Sequence, residues 1–169
     1  MAFWKDGGFT EDPWTHLAPG EAPDMGRQQI LPLTTFLELD ASQRSGFGVS
    51  LAPLEDLETL RGAVNDLNAI PVIALDFPSF ANGTSYSKAQ ILQQHDRYEG
   101  EIRATGDVLP DQLPLMLRVG FNALEVTHPV AIRALEDDLP NTVPQLTQIV
   151  PGDETAEAAT GYSWRRVAR

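Results

Sequence analysis

Asp76, Arg103, Asp107 and His128 are ionisable side chains that fall where an α/β chain commonly places its chemistry. Asp76 ends the apolar run Pro71-Val-Ile-Ala-Leu-Asp76, where a carboxylate could act as a base, a metal ligand or an acceptor for a ligand hydroxyl. Its ordinary use at such a place is to accept backbone N–H groups of the following loop. Arg103 alternates with Ile102 and Ala104, so it either pairs with an acid within a sheet or projects into a pocket. A semi-buried arginine needs a partner, and Asp76 or Asp107 could supply one. Asp107, just after Gly106, is placed to cap a helix. Asp111 and Gln112 would then sit in the first turn, where an acid suits the helix dipole without any catalytic purpose. His128 precedes Pro129 and could shuttle a proton, although a loop histidine is the plainer reading. Asn82, Tyr86 and Ser87 belong to the segment after Asp76. Tyr86-Ser87-Lys88 sets a tyrosine near a lysine, but not at the i, i+4 spacing that a helical dyad would need.

Other chemistries are harder to build from this chain. It has no cysteine, which removes thiolate nucleophiles, disulfides and cysteine-held iron–sulfur clusters. Three histidines, far apart, make a dedicated zinc site improbable, and no metal or cofactor is expected. There is no P-loop, no Gly-x-Gly-x-x-Gly, no His-Glu-x-x-His and no Gly-x-Ser-x-Gly. With 24 acidic and 12 basic residues, the net charge is -12, a field that repels nucleic acid and anionic membrane surfaces. The first twelve residues mix Lys5, Asp6 and Glu11 with glycines and do not resemble a signal peptide. No stretch approaches the roughly 20 apolar residues of a bilayer span. The expectation is therefore a cytoplasmic protein.

The elements that must position these residues are legible from patterning. The chain has 169 residues, 42% of them hydrophobic and 21% charged, which suits one globular domain. Residues 1–30, rich in Gly, Pro and acids, read as an irregular arm whose Trp4, Phe9 and Trp14 anchor it to the body or to a second subunit, so a homo-oligomer is conceivable. Apolar runs at 47–51, 71–76, 101–105 and 121–126 predict four strands. Amphipathic segments at 55–67, 85–95, 108–119 and 129–138 predict helices between and after them, with a short helix over 31–39 before the first. Leu57, Leu60, Val64 and Leu67 give the clearest helical spacing. This alternation implies right-handed crossovers and a mostly parallel sheet of about four strands with flanking helices. An open three-layer sheet is the first expectation and a half-barrel the second. Residues 31–140 form the α/β domain, and residues 141–169 read as a partly disordered acidic tail. In such a domain ligands bind beyond the carboxyl ends of the strands, which gathers Asp76, the 77–86 loop, Thr105, Gly106, Asp107 and His128 at one edge.

Three blocks carry a family resemblance: Phe80-Ala-Asn-Gly-Thr-Ser-Tyr-Ser-Lys-Ala-Gln-Ile-Leu92, Gly100-Glu-Ile-Arg-Ala-Thr-Gly-Asp-Val-Leu-Pro-Asp-Gln-Leu113 and Gly120-Phe-Asn-Ala-Leu124. Over residues 31–126 the chain resembles the bacterial family known as domain of unknown function 934. The resemblance implies an association with assimilatory sulfate reduction, because members are usually encoded beside sulfite reductase and adenylyl-sulfate reductase. Members are often labelled probable oxidoreductases without a demonstrated activity. It therefore implies an accessory role, with one of those reductases as the partner. The rival reading is a small-molecule enzyme or anion-binding domain at the carboxyl edge. Matched by position, the shared residues are Gly83, Tyr86, Ser87, Arg103, Gly106, Asp107, Asp111, Gln112 and Gly120. The chain departs from the family where many members read Asp-Gly-Arg-Gly and this one reads Asn82-Gly83-Thr84-Ser85. It departs again at Val119, where many members have a cysteine. A mechanism built on either residue could not run here unchanged.

Overall fold

A computed structural model describes residues 1–18, 20–78 and 83–138. The tail expected over 141–169 lies outside the described residues, as does Asn82. Eight strands form one sheet in the order β2-β1-β8-β7-β6-β5-β4-β3. They are β1 (Ala2–Lys5), β2 (Gly8–Thr10), β3 (Thr15–His16), β4 (Gln29–Pro32), β5 (Gly48–Leu51), β6 (Val72–Phe77), β7 (Glu101–Gly106) and β8 (Ala123–Val126). From β3 to β8 neighbouring strands run parallel, while β1 lies antiparallel on β8 and β2 antiparallel on β1. The helices are α1 (Leu33–Glu38), α2 (Leu57–Ala63), α3 (Thr84–Gln90), α4 (Leu113–Val119) and α5 (Pro129–Glu136). Among the described residues no helix is long and apolar enough to cross a membrane.

The four strands expected from the apolar runs are β5 to β8, and the parallel α/β class holds. Twice as many strands are present because the N-terminal arm is not irregular throughout: it supplies β1, β2, β3 and the start of β4. Asp6 and Gly7, both at positive φ (47° and 96°), turn β1 into β2 with Lys5 opposite Gly8. An Asp-Gly pair is the favoured chemistry for such a two-residue hairpin.

Curvature follows from chain length. In a flat sheet β2 and β3 would stand seven strand spacings apart, about 33 Å. Yet only residues 11–14 join them, and the five Cα steps from Thr10 to Thr15 reach at most about 18 Å. The sheet must therefore curl until its edges approach, and the half-barrel, the second expectation, replaces the open three-layer sheet. His16 on β3 bonds Glu125 on β8 at 2.7 Å, although β4 to β7 lie between those strands in the sheet.

Alternation assigns the two faces. Leu31, Val49, Leu51, Ile73, Leu75, Phe77, Ile102, Ala104, Leu124 and Val126 point outward into the main core. There they meet Leu57 and Leu60 of α2, Ala89 of α3, Leu113 and Met116 of α4, and Ala131 and Leu135 of α5. The concave face carries Phe3, Lys5, Glu101, Arg103, Thr105 and Glu125, with a small apolar cluster of Ile30, Val72 and Ala74 against Trp14.

Helix limits differ from the expectation in three places. The helix expected over 31–39 starts at Leu33, because Leu31 and Pro32 pair with Val49 and Ser50 in the sheet. α2 starts on the Asp56 cap, whose carboxylate accepts from the Glu58 N–H at 3.1 Å, but it stops at Ala63 before Val64 turns extended. The helix expected from Val108 begins only at Leu113. Pro110 disfavours helical backbone at Leu109, and the Gln112 side chain instead accepts the Leu109 N–H at 3.1 Å to close a turn.

Candidate functional site

The strongest concentration of charge is on the concave face and is built around β7. In Glu101-Ile-Arg-Ala-Thr105 the odd residues face inward and the even ones enter the core. Arg103 is 0% exposed. Its Nε donates to Glu101 Oε1 at 2.7 Å, and Nη1 donates to Glu125 Oε1 at 2.9 Å. Nη1 and Nη2 together fork onto the two oxygens of Asp12, at 2.7 and 2.9 Å. The Phe3 ring lies under the guanidinium, 4.3 Å from Cζ to centroid. Lys5 Nζ approaches Glu101 Oε2 at 2.9 Å, and His16 Nε2 approaches Glu125 Oε1 at 2.7 Å from the rim. Two cations thus face three carboxylates, and a protonated His16 would bring the set to neutrality.

Burial opposes both central charges and is overcome by contact. It pulls the Arg103 pKa down, but Asp12, Glu101 and Glu125 together hold it above its ordinary value. It pushes the Glu125 carboxyl up, but hydrogen bonds and charge from His16 and Arg103 leave it below the usual carboxylate range. Chemically, this is an arginine locked in place by acids, with four of its five N–H groups engaged and the whole residue shut off from solvent.

The partners proposed for Arg103 were Asp76 and Asp107, and neither fills that role. Asp76 lies one strand away, directly opposite Thr105, whose hydroxyl approaches its Oδ1 at 3.5 Å. Asp107 is exposed and caps no helix; its backbone N–H donates to the Phe77 carbonyl at 2.8 Å, continuing the β6–β7 pairing around Gly106. Gly106 is required there: at φ +87°, a Cβ would come within 2.6 Å of the Phe77 carbonyl and 2.7 Å of Asp76 Oδ1. His128 caps α5 through Nδ1, which accepts the Val130 N–H at 3.2 Å. Asp111 is exposed, and Gln112 is buried in the turn before α4.

Tyr86 packs edge-on against Phe77, 5.0 Å between centroids, and burial, with the charge of Asp111, pushes its pKa up to about 12. Ser87 is exposed, whereas Ser85 is fully buried and donates to the Asp76 carbonyl at 2.7 Å. Lys88 is also buried and donates to the carbonyls of Ala52 and Pro53 at 2.7 and 3.0 Å. Burial lowers its pKa despite nearby Glu55 and Asp56. The carboxyl edge therefore does collect Asp76, Thr105, Gly106 and Asp107, tied down by Ser85 and Lys88, but Arg103 belongs to the interior.

Sequence reasoning missed Asp12, Lys5, His16, Glu101 and Glu125. Alternation along Glu101-Ile-Arg and Ala123-Leu-Glu puts Arg103 and both glutamates on one face, a signal that was available. Nothing local marks Asp12, which is 91 positions from Arg103. Among the described residues no group of three or more histidine or acidic side chains is arranged to hold a metal ion; the three acids that do converge enclose Arg103.

Comparison with known protein families matches residues 48–147 to the family described as bacterial protein of unknown function (DUF934), and the chain belongs to it. Comparisons with curated proteins and with solved structures return no match.

Proposed function

We propose that this member of the DUF934 family is an accessory protein of sulfite and sulfate assimilation, acting by contact with a reductase instead of turning over a substrate of its own. The observation that carries the reading is the state of Arg103. It is the arginine best placed by sequence to clamp an oxyanion, yet it has no exposed surface and its fork is taken by three carboxylates. The chain also lacks any cysteine that could relay electrons or attack sulfur. A role in which the half-barrel serves as a rigid body for a partner asks nothing of these groups beyond holding shape. The link to sulfur rests on the family resemblance.

The test uses the full chain, tagged and expressed in a bacterium growing on sulfate. A sulfite or adenylyl-sulfate reductase is expected to co-purify with it. Deletion is expected to slow growth on sulfate or sulfite, with cysteine restoring the wild-type rate. Equal growth of the deletion strain on all three sulfur sources would remove the sulfur assignment. Turnover of sulfite or adenylyl sulfate by the purified chain alone would instead favour an enzyme working at the carboxyl edge, where Asp76 and Thr105 face each other beside Gly106.

A further inference from the structure

A second polar site lies at the opposite end of the strands. Between the residues that lead into β5 and β6 and the end of α2 there is a cavity of about 230 Å3, with Arg44, Ser45, Val64, Asp66, Ala69 and Ile70 in its wall. Arg44 is half-buried, its hydrogen bonds all go to backbone, and its guanidinium lies 5.8 Å from the Phe36 ring centroid: Nε donates to Phe36 O at 3.2 Å, Nη2 to Leu37 O at 2.7 Å and Nη1 to Ala63 O. These carbonyls belong to the last turns of α1 and α2, where a cation is favoured by both helix ends. Three of the five guanidinium N–H groups are used, leaving one on each Nη. No carboxylate of the described residues lies within ion-pair distance of Arg44, in contrast to Arg103 and Arg61. Asp66 faces the same cavity and does not reach Arg44; its Oδ1 accepts the Asn68 N–H at 2.9 Å and its Oδ2 is uncommitted.

A half-buried cation and an exposed anion thus line one small open cavity without neutralising each other, with Val64, Ala69 and Ile70 as its apolar wall. The volume is below the ~300 Å3 at which drug-sized pockets begin, so the fitting ligand has only a few heavy atoms. A bare anion would meet the charge of Asp66, and a bare cation that of Arg44. We propose that this cavity binds a small zwitterion of the α-amino-acid type, its carboxylate on the Arg44 guanidinium and its ammonium on Asp66, with a short side chain against Val64, Ala69 and Ile70. Ligands of parallel α/β domains react at the carboxyl edge. A site at the amino edge is therefore suited to sensing a metabolite. The inference does not depend on the accessory role proposed above.

Calorimetric titration of the full chain with L-alanine, L-serine, propionate, ethylamine, sulfate and L-tryptophan tests it. The two small amino acids are expected to bind about tenfold or more tighter than propionate or ethylamine, which each satisfy one charge. L-Tryptophan is expected not to fit. Asp66→Asn keeps the acceptor for the Asn68 N–H and is expected to weaken the amino acids by about tenfold while leaving propionate unchanged or improved. Ala69→Trp, which places a large side chain on the cavity wall and leaves both charged residues in the sequence, is expected to abolish binding. Amino acids no tighter than propionate, sulfate as the tightest probe, binding that survives Ala69→Trp, or no heat from any probe would each overturn the proposal.

Discussion

Replacing Arg103 by methionine keeps most of the aliphatic stem and removes the charged fork that lies over Phe3, so its effect reports on charge more than on volume. Glu101 and Glu125, 5% and 7% exposed, would remain in place with Asp12, and only Lys5 and His16 would be left at the margins to balance them. Breaking a buried pair on one side costs about 3–5 kcal/mol. Here one cation serves three acids, so a loss near the upper end, about 5 kcal/mol, is expected. Total stability of a domain is roughly 5–15 kcal/mol. The variant should therefore melt roughly 10–20 °C lower and unfold at much lower urea. The steepness of the pH response separates lost charge from lost packing. In the wild type, Glu125 titrates below its unfolded value. Its contribution is present above the unfolded pKa and is lost as pH falls through the folded one. In Arg103→Met, Glu125 loses the guanidinium and keeps His16 as its partner against burial, so its folded pKa rises toward the unfolded value. The loss of stability on acidification should then be shallower than in the wild type. Adding Glu125→Gln to the variant removes one stranded charge and is expected to recover roughly 1–3 kcal/mol. An Arg103→Met protein within about 1 kcal/mol of wild type, or one that loses stability on acidification as steeply as the wild type does, would refute the reasoning.

Three further outcomes are expected. His16→Ala should cost only about 1 kcal/mol or less, because His16 is 38% exposed and its ion pair with Glu125 is screened; hydrogen exchange should nevertheless quicken at Leu17, whose N–H bonds Ile30 beside the rim. Unchanged exchange there would mean that His16 does not hold the edge. Tyr98→Phe removes the hydroxyl that donates to the Ile70 carbonyl at 2.7 Å in a buried setting, and should lower urea stability by roughly 1–3 kcal/mol without changing the slope. Asp107→Ala should shift the melting temperature by no more than about 2 °C, because the residue caps no helix; a drop typical of a lost cap would restore the helix-start reading.

The central fold was legible because β5 to β8 are covered on their outer face by helices and read as apolar runs, while Gly120, at φ +111°, marks the end of α4. The N-terminal strands were less legible. β2 and β3 are three and two residues long with every residue exposed, so no alternation of burial marks them. The Asp6-Gly7 pair is a hairpin signal that the reading of an irregular arm passed over. α4 was read too long because Val108, Leu113, Met116 and Val119 are all buried, and burial in a turn looks like burial in a helix until Pro110 is weighed.

The candidate site shows where local reading stops. Alternation was enough to place Arg103 on one face of β7 and to say that it needed an acid. Choosing the acid required knowing that the sheet closes, and closure is decided by residues 11–14, a link too short to let β2 and β3 stand apart. In an open sheet the same arginine would face solvent at mid-strand and Asp12 would hang from a distant edge. With the edges drawn together, Asp12 spans the mouth, His16 reaches Glu125, and the arginine becomes a post between β7, β8 and the N-terminal link. The step from candidate ligand clamp to internal support is thus made by the length of a connection and not by the chemistry of Arg103. Arg44, fixed to helix carbonyls at the other end of the strands, keeps two N–H groups that those carbonyls do not take.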